Sequence, residues 1–330
     1  YMKLKLLLLC FFVTAIPAQA KVLKIATLSP EGSSWMKTMR KAAGDVDQAT
    51  GGRVKLKFYP GGVMGNDAAV LRKIRIKQLH GAAVPGGSLR KFYPDVELYS
   101  LPLKFKSLDE VDYVRSRMDS TIVKGLEQGG FVTFGLGEGG LAYMMTDTAV
   151  TSVPELQKKK VWIPSNDPSA LNAVQAFDIK PFPLDLSNVL VSLQTGMVNT
   201  VATSPIGAIA LQWHTHIKYI TDVPLMYFFA VLAVDKKVFD RLSPEDQSAM
   251  RTIMGKAFKE IDTQNRRDNL QAFAALTKQG IQVESLNTNE LKEWYGRAAQ
   301  AEQKLVKQGT VSKQAADQLN TYLEEFRSQQ

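Results

Sequence analysis

The 330-residue sequence predicts an α/β protein of two lobes and one long helix near its C-terminal end. Strand and helix patterns alternate over residues 22–85, the alternation resumes between 146 and 228, and an uninterrupted helical pattern follows Ser243. No low-complexity linker separates the two alternating regions, so we expect strands to cross directly between the lobes. The predicted divisions are a leader over 1–20, lobe I over 21–145, lobe II over 146–227, and a return to lobe I over 228–330 that continues into the bracing and C-terminal helices.

The first elements predict a strand, a helix and a second strand. Residues 22–27 alternate like a strand, and apolar residues from Trp35 to Val46 recur on one face of a helix that stops at Gly51. Residues 54–59 then alternate again. This order indicates a βαβ unit with parallel strands, and therefore an α/β first lobe.

Helix-start signals predict the later elements. Ser107 and Glu110 form a capping box that begins a helix reaching towards Leu126. Ser243 is followed by a proline at the first helical position, and the helical pattern continues to Lys278. Further helices are expected from about Asn66 to Gln78, after Asn287 and around 312–326, with short strands near 82–84 and 131–134.

The overall composition is that of a folded, soluble protein: 45% of the residues are hydrophobic and 22% are charged. The formal net charge is +9, which raises the possibility of nucleic-acid binding. The basic residues are interspersed with acidic ones and form no single basic stripe, so we expect no nucleic-acid partner.

The N-terminal segment is typical of a secretory signal peptide. Lys3 and Lys5 precede a short apolar run over 6–15, and the small residues of 18–20 form a cleavage pattern. Cys10, the sequence's one cysteine, lies within this leader. We therefore expect export across the inner membrane, a periplasmic location, and a mature chain without thiol chemistry.

No recognisable catalytic constellation is present in the sequence. Residues 135–140 fit a Gly-x-Gly-x-x-Gly pattern, but 141–146 look extended, whereas a dinucleotide site requires a helix there. His214 and His216 lie close together, with His80 the only other histidine, which does not complete a usual zinc site. We expect no enzyme activity and no cofactor, and leave a bound metal open.

Four segments together resemble the DctP-type solute receptors that serve TRAP transporters. They are residues 60–65, 101–105, 160–164 (Lys-Val-Trp-Ile-Pro) and 193–199 (Leu-Gln-Thr-Gly-Met-Val-Asn). The resemblance covers essentially the whole mature chain and implies a periplasmic binding protein type II-like fold, in which two α/β lobes meet at a hinge and a long helix braces both. It also implies that the chain captures a small organic solute between two lobes and delivers it to TRAP membrane permease subunits.

The sequence departs from that family at its ligand arginine, whose position is occupied by Trp162. A second arginine that is often present corresponds to Ala142. Tryptophan and alanine cannot reproduce the bidentate hydrogen bonds of a guanidinium to a carboxylate. We expect either a neutral, hydroxylated or aromatic solute, or an organic acid met by another cation such as Arg90, by a metal, or by helix N-terminal amides.

The candidate binding pocket is predicted at the carboxyl ends of strands, where open α/β sheets bind ligands. In this interpretation Trp162 packs on the solute, while Ser88, Asn166 and Ser204 orient it. The candidate ligand-binding residues are Glu31, Trp35, Asp67, Ser88, Tyr143, Trp162, Asn166, Thr203, Ser204 and Trp213.

Three other functions remain open at the level of sequence. They are a periplasmic enzyme that uses acidic residues or the histidine pair, a sensor subunit for a membrane kinase, and a receptor for an ATP-driven importer. We expect a monomer.

Overall fold

The computed structural model describes residues 20–165 and 167–329. The predicted leader, apart from Ala20, and the candidate residue Asn166 lie outside the described residues. Among the helices of the described part, none combines the length and the apolar character that a membrane crossing requires.

The described residues form ten strands. In chain order these are β1 (Lys21–Thr27), β2 (Val54–Tyr59), β3 (Gly81–Pro85), β4 (Phe131–Val132), β5 (Gly137–Thr146), β6 (Trp162–Pro164), β7 (Phe182–Leu184), β8 (Thr200–Thr203), β9 (Tyr219–Asp235) and β10 (Gln282–Glu284).

Eleven α-helices complete the described part. They are α1 (Ser34–Ala49), α2 (Asp67–Arg75), α3 (Leu108–Gln128), α4 (Val153–Gln157), α5 (Pro168–Gln175), α6 (Val189–Gln194), α7 (Pro205–Ala210), α8 (Lys236–Phe239), α9 (Pro244–Lys278), α10 (Thr288–Lys307) and α11 (Lys313–Ser328). Short 3-10 turns occupy Gly86–Leu89, Pro94–Ser100, Leu186–Asn188 and Trp213–Thr215.

The main sheet has the strand order β2-β1-β3-β9-β5-β8, and β4 and β10 also pair with β9. β1 runs parallel to β2 and β3, which confirms the predicted parallel βαβ unit. β9 runs antiparallel to β3 and β5. A separate parallel pair, β6 and β7, is linked to β8 by a bridge between Val161 and Thr200.

Two long strands connect the two halves of the molecule. The C-terminal part of β9 pairs with β3, whereas its N-terminal part pairs with β10 and with the end of β5. The β5 and β9 register shifts near Gly140 and near Tyr143, as at β-bulges. The two-lobe type II-like fold is therefore confirmed, while the residue boundaries of the lobes stay a prediction.

The glycines of 135–140 have a structural role in β5. Gly140 adopts a φ of +96°, and a Cβ there would lie 2.6 Å from Asn269 Nδ2 of α9. Asn269 Nδ2 donates to Gly139 O at 3.2 Å, and Asn269 Oδ1 accepts from Ile206 N at 3.1 Å. The motif thus allows α9 to approach β5 closely and to contact α7.

Helix α9 begins and ends where the sequence predicts. Its 35 residues span about 50 Å, and Ser243 caps its N-terminus by accepting a hydrogen bond from Asp246 N at 3.2 Å. The helix packs on α1 at one end and on α7 further along, with β5 between them. It therefore braces both lobes.

Buried charges hold the crossing strands against α3 and α9. We call this set of Arg115, Glu138, Tyr227, Asp262 and Arg266 the crossover network. Arg115 donates to Tyr227 Oη at 2.8 Å and lies 3.0 Å from Asp262. Arg266 Nη2 lies 2.7 Å from Glu138 Oε2, and Tyr227 Oη also donates to that oxygen at 3.2 Å. Every carboxylate of the network therefore has hydrogen-bonding partners.

Two predicted elements differ in extent from those observed. The strand expected over 131–134 covers only Phe131–Val132, and the helix expected from Asn66 to Gln78 covers Asp67–Arg75. Asn66 is the N-cap, and Lys77 has a positive φ of 66°, which ends the helical path.

Candidate functional site

A large cleft lies between the two halves of the sheet. Its volume is about 2180 Å³, and its lining includes residues of lobe I such as Trp35, Asp67 and Ser88. Trp162, Thr203, Ser204 and Trp213 line it from the part predicted as lobe II. The structure thus brings together seven of the ten candidate residues.

Two tryptophans form part of the lobe II wall. Trp162 and Trp213 meet edge to face, with ring centroids 5.1 Å apart and an interplanar angle of 75°. Trp162 Nε1 donates to Leu184 O at 3.0 Å, so its hydrogen-bonding capacity is already used within the protein. Trp162 is 8% exposed and Trp213 is 2% exposed, so Trp162 presents to the cleft only a small part of its ring and no free donor.

The segment around Trp162 is fixed by the motif residues on either side. Lys160 Nζ donates to Gly196 O at 2.8 Å, and Asn199 Oδ1 accepts from Lys160 N at 2.8 Å. Gly196 adopts a φ of +69°, which favours glycine at the turn after α6. Lys160, Gly196 and Asn199 thus hold β6 beside β8.

Asp67 and Ser88 face the cleft from lobe I. Ser88 Oγ donates to Asp67 Oδ2 at 2.7 Å, whereas Asp67 Oδ1 has almost no exposed surface and no hydrogen-bond partner among residues 20–165 and 167–329. Burial raises the pKa of the Asp67 carboxyl; the Ser88 hydrogen bond opposes this rise, and the carboxylate of Asp167 adds to it. Oδ1 of Asp67 is therefore a buried hydrogen-bond acceptor that receives no donor from the described residues.

Arg90, Glu97 and Asp167 extend this charged region and also line the cleft. Arg90 Nη1 lies 3.4 Å from Glu97 Oε1, and the Glu97 residue is only 2% exposed. Burial raises the pKa of Glu97 to about 7, with Arg90 opposing the rise and Asp167 adding to it. We call Asp67, Arg90, Glu97 and Asp167 the cleft charge cluster.

Thr203 and Ser204 lie where β8 passes into α7. Ser204 is the N-cap of α7, and its Oγ accepts from Gly207 N at 3.3 Å. A Cβ at position 207 would lie 2.5 Å from Thr203 Oγ1, so a glycine permits this close approach. Ser204 thus has a capping role besides lining the cleft.

Two candidates lie away from the described cleft lining. Glu31 is exposed and forms an ion pair with Arg40, whose Nε donates to Glu31 Oε1 at 2.8 Å. The hydrogen bond from Arg40 lowers the pKa of Glu31. Tyr143 packs against Phe273 of α9, with ring centroids 5.8 Å apart.

Sequence reasoning missed Glu97 and Asp167, and it considered Arg90 only as an alternative cation. Glu97 sits inside a 3-10 turn with no recognised motif, so only the fold shows that it borders the cleft. Within residues 20–165 and 167–329, no group of three or more histidine, cysteine, aspartate or glutamate side chains is arranged to hold a metal ion.

A two-lobed α/β fold with crossing strands and an interlobe cleft defines a class of solute-binding proteins. The family model of bacterial extracellular solute-binding proteins of family 7, DctP, matches residues 25–308. The chain therefore belongs to the DctP family, and is a solute receptor of the TRAP type.

Individual relatives are distant in sequence and similar in fold. A solute-binding protein of Roseobacter denitrificans is 23% identical over 239 residues, covering 71% of this chain and 72% of that protein. A TRAP periplasmic solute-binding protein of Pseudomonas putida F1, solved with D-glucuronate, has a TM-score of 0.82 at 19% identity, covering 92% of this chain and 96% of that one. A Bordetella pertussis receptor that binds pyroglutamic acid has a TM-score of 0.83 at 19% identity, covering 92% and 100%.

Proposed function

We propose that this DctP-family receptor binds one small organic solute in the interlobe cleft, closes around it, and delivers it to the membrane subunits of a TRAP permease. The observation that supports the proposal is a large cleft lined by residues of both halves, beside two crossing strands and one long helix that contacts both halves. A solute that contacts both walls favours the closed arrangement by its differential affinity.

We further propose that the mature receptor acts in the periplasm as a monomer and does not transform its solute. The leader pattern with Lys3, Lys5 and the small residues of 18–20 supports the location. Incubating the solute with the protein and following it by mass spectrometry tests the absence of turnover. A stoichiometric complex with unchanged solute is expected; multiple turnovers would assign an enzyme instead.

A thermal screen tests the binding function. The mature chain is unfolded, dialysed and refolded to remove solute carried from expression, and is then heated with a library of acids, sugars and aromatic compounds. A solute at one hundred times its Kd stabilises the folded state by about 2.7 kcal/mol, which raises the melting temperature. Absence of any shift across the library contradicts the proposed receptor function.

Trp162 provides the first site-directed test. Trp162→Ala removes the aromatic surface beside Trp213, so we expect the shift with the identified solute to disappear. Trp162→Phe keeps a ring but loses the hydrogen bond to Leu184 O, and is expected to lower stability while retaining measurable binding. Equal affinity of wild type and both variants, measured by calorimetry, would remove Trp162 from the site.

Delivery is tested with membrane vesicles that contain the subunits of a TRAP permease, if such subunits are encoded beside the receptor gene. Uptake of the solute is expected to require both the receptor and an ion gradient. Uptake driven by ATP would identify an ATP-driven importer, and a neighbouring histidine kinase without permease genes would indicate a sensor subunit.

A further inference from the structure

Three parts of lobe I meet at the end of the sheet where β3 begins and β9 ends. His80, which precedes β3, donates its backbone N–H to Lys24 O at 2.9 Å, and its carbonyl oxygen accepts from Asp235 N at 2.9 Å. Lys236, the first residue after β9, donates its backbone N–H to Gly130 O at 2.9 Å. The loop after α2, the end of α3 and the start of α8 are therefore neighbours at this edge.

Lys91 and Phe92 reach the same edge from the turn after β3. The rings of Phe92 and Phe131 meet edge to face, with centroids 4.8 Å apart. The backbone of Phe92 packs so closely on Gly129 that a Cβ at position 129 would lie 2.5 Å from Phe92 O. Segments that are distant in the sequence thus form one surface.

This surface carries cationic side chains that also belong to the lining of the large cavity. We call them the basic face: Arg72, Arg75, Lys77, Lys91, Lys236 and Lys237. Because they come from separate segments, they form no basic stripe in the sequence. Lys77 precedes β3 and Ser88 follows it, so the five residues of β3, about 15 Å, separate this face from the interlobe part of the cavity.

Most cations of the basic face are unpaired. Elsewhere, Arg40 and Arg297 form ion pairs with Glu31 and Asp178. On the basic face, the following are exposed and form no ion pair or side-chain hydrogen bond within residues 20–165 and 167–329: Arg72, Arg75, Lys77, Lys91 and Lys237. Their charges are therefore available to an external anion.

The acids beside the basic face already have partners. Asp240 pairs with Lys236 at 2.8 Å, and Glu127 pairs with Arg251 at 3.0 Å. Asp235 caps α8, where its Oδ1 accepts from Val238 N at 3.0 Å. These three acids are outnumbered by the six cations of the face, so the surface has an excess of positive charge.

Two apolar side chains are exposed among these cations. Ile76 is 55% exposed and Phe92 is 41% exposed, and Phe131 supports the Phe92 ring from behind. Unpaired lysines and arginines beside exposed apolar side chains are typical of surfaces that bind the headgroup layer of an anionic bilayer. A broad face built from several segments fits many headgroups better than one small anion.

We propose that the basic face binds the anionic phospholipid surface of the membrane that holds the permease, with Ile76 and Phe92 entering the headgroup layer. Each cation near such a surface attracts it electrostatically, and the apolar side chains add contact area. This binding would concentrate the receptor beside the permease. It goes beyond the proposed function and does not depend on which solute is bound.

Sedimentation with lipid vesicles tests the proposal on the solute-free mature chain. Phosphatidylcholine vesicles that contain about 30% phosphatidylglycerol are compared with vesicles of phosphatidylcholine alone. At about 0.05 M salt we expect binding to the anionic vesicles to be at least about tenfold tighter. This binding is expected to be lost at about 0.5 M salt, because salt screens the attraction.

A double variant tests whether the separate segments act as one face. Arg75→Gln with Lys91→Gln is expected to weaken binding to anionic vesicles about 25-fold, since each cation contributes about fivefold. The control is Lys304→Gln with Lys307→Gln, which removes the same charge from exposed positions of α10. Melting temperatures show whether both variants are folded.

Ile76→Gln tests the apolar contact and keeps every cation. We expect it to weaken binding to anionic vesicles about three- to tenfold, because part of an aliphatic side chain no longer enters the headgroup layer. Unchanged binding in Ile76→Gln would remove this contact from the proposal.

Several outcomes overturn the membrane-binding face. They are no binding to anionic vesicles at low salt, equal binding to both kinds of vesicle, binding that survives high salt, and equal losses in the two double variants. Neutral vesicles that carry permease subunits give one more: tighter binding to these than to anionic lipid, lost in the Arg75 and Lys91 variant, would assign the face to a protein partner. All of these leave the solute-receptor function intact, because the assay contains no solute.

Discussion

The crossover network and the cleft charge cluster both contain buried carboxyl groups, yet they differ in how completely those groups are paired. Glu138 accepts hydrogen bonds from Arg266 and Tyr227, and Asp262 accepts from Glu138 N at 2.7 Å and pairs with Arg115. In the cleft, Asp67 accepts from Ser88, and its Oδ1 has no partner within the part of the chain that the structure describes.

The difference in pairing affects how each region contributes to stability and to solute binding. The partners of the buried charges in the crossover network all belong to the protein, so these hydrogen bonds do not depend on a solute. An incompletely satisfied carboxyl at a cleft costs stability until a ligand supplies the missing group. The crossover network thus contributes to the stability of the fold, whereas the cleft carboxyl can contribute to solute affinity.

Removing one guanidinium from the network gives the largest expected effect. Arg115→Met keeps an unbranched apolar stem but removes the guanidinium, which leaves the buried Glu138 and the partly buried Asp119 and Asp262 without this cation. We expect a loss of about 3–5 kcal/mol in the free energy of unfolding, the usual result of breaking a buried ion pair from one side.

Urea denaturation checks this value, with Arg117→Met as the control on the same helix. Arg117 is exposed and packs on the ring of Tyr113, so its replacement is expected to change stability by less than about 1 kcal/mol. A similarly small loss for Arg115→Met would mean that water screens the charges of the crossover network. The two regions would then not differ in how strongly their buried charges affect stability.

Glu97 provides the next largest effect, and it concerns pH. Its pKa in the folded protein is raised to about 7 from an ordinary value of 4.5, so the folded state holds the proton more tightly than the unfolded state. The corresponding stabilisation is fully present below about pH 4.5 and is lost as the pH rises towards 7. The loss amounts to about 3 kcal/mol at most.

Glu97→Gln removes this titration, so its stability is expected to change less than that of the wild type between pH 4.5 and 7.5. Denaturant curves at both pH values measure the difference. Glu31→Gln is the control: the pKa of Glu31 is lowered by Arg40, so its contribution has the opposite sign, being lost as the pH falls. An unchanged pH dependence in Glu97→Gln would show that Glu97 is ionised throughout.

Local signals in the sequence predicted the regular elements well. The Ser243-Pro244 start and the continuous helical pattern gave the bounds of α9, and alternation gave β1 and β2. These features depend on residues that are close in sequence, so the bounds of the helix and the strands can be predicted from the sequence alone. The family motif at Lys160 also predicted the two-lobe fold.

The charged groups of the cleft could be predicted only in part. Asp67 and Ser88 were found because they follow strands, whereas Glu97 and Asp167 reach the cleft lining through tertiary packing that no local pattern reports. Glu138 was hidden within a glycine motif, and its partners lie 23 and 128 residues away in Arg115 and Arg266. Pairing at such separations is a property of the fold.

Ser204 gives the smallest expected effect and separates structural from binding roles in the cleft wall. Its Oγ caps α7 by accepting from Gly207 N, and the hydroxyl hydrogen can still donate to a solute. Ser204→Ala is expected to lower stability by about 1 kcal/mol, whereas Ser204→Gly is expected to cost only a few tenths of a kcal/mol, because glycine is tolerated at an N-cap.

Both replacements remove the hydroxyl, so a hydrogen bond from Ser204 to the solute predicts the same loss of affinity in both, about two- to tenfold. Melting curves give the stability difference, and calorimetry with the solute from the thermal screen gives the affinities. If affinity falls in Ser204→Ala but not in Ser204→Gly, the effect comes from the helix cap. Ser204 would then belong with the structural groups of the crossover network rather than with the binding groups of the cleft.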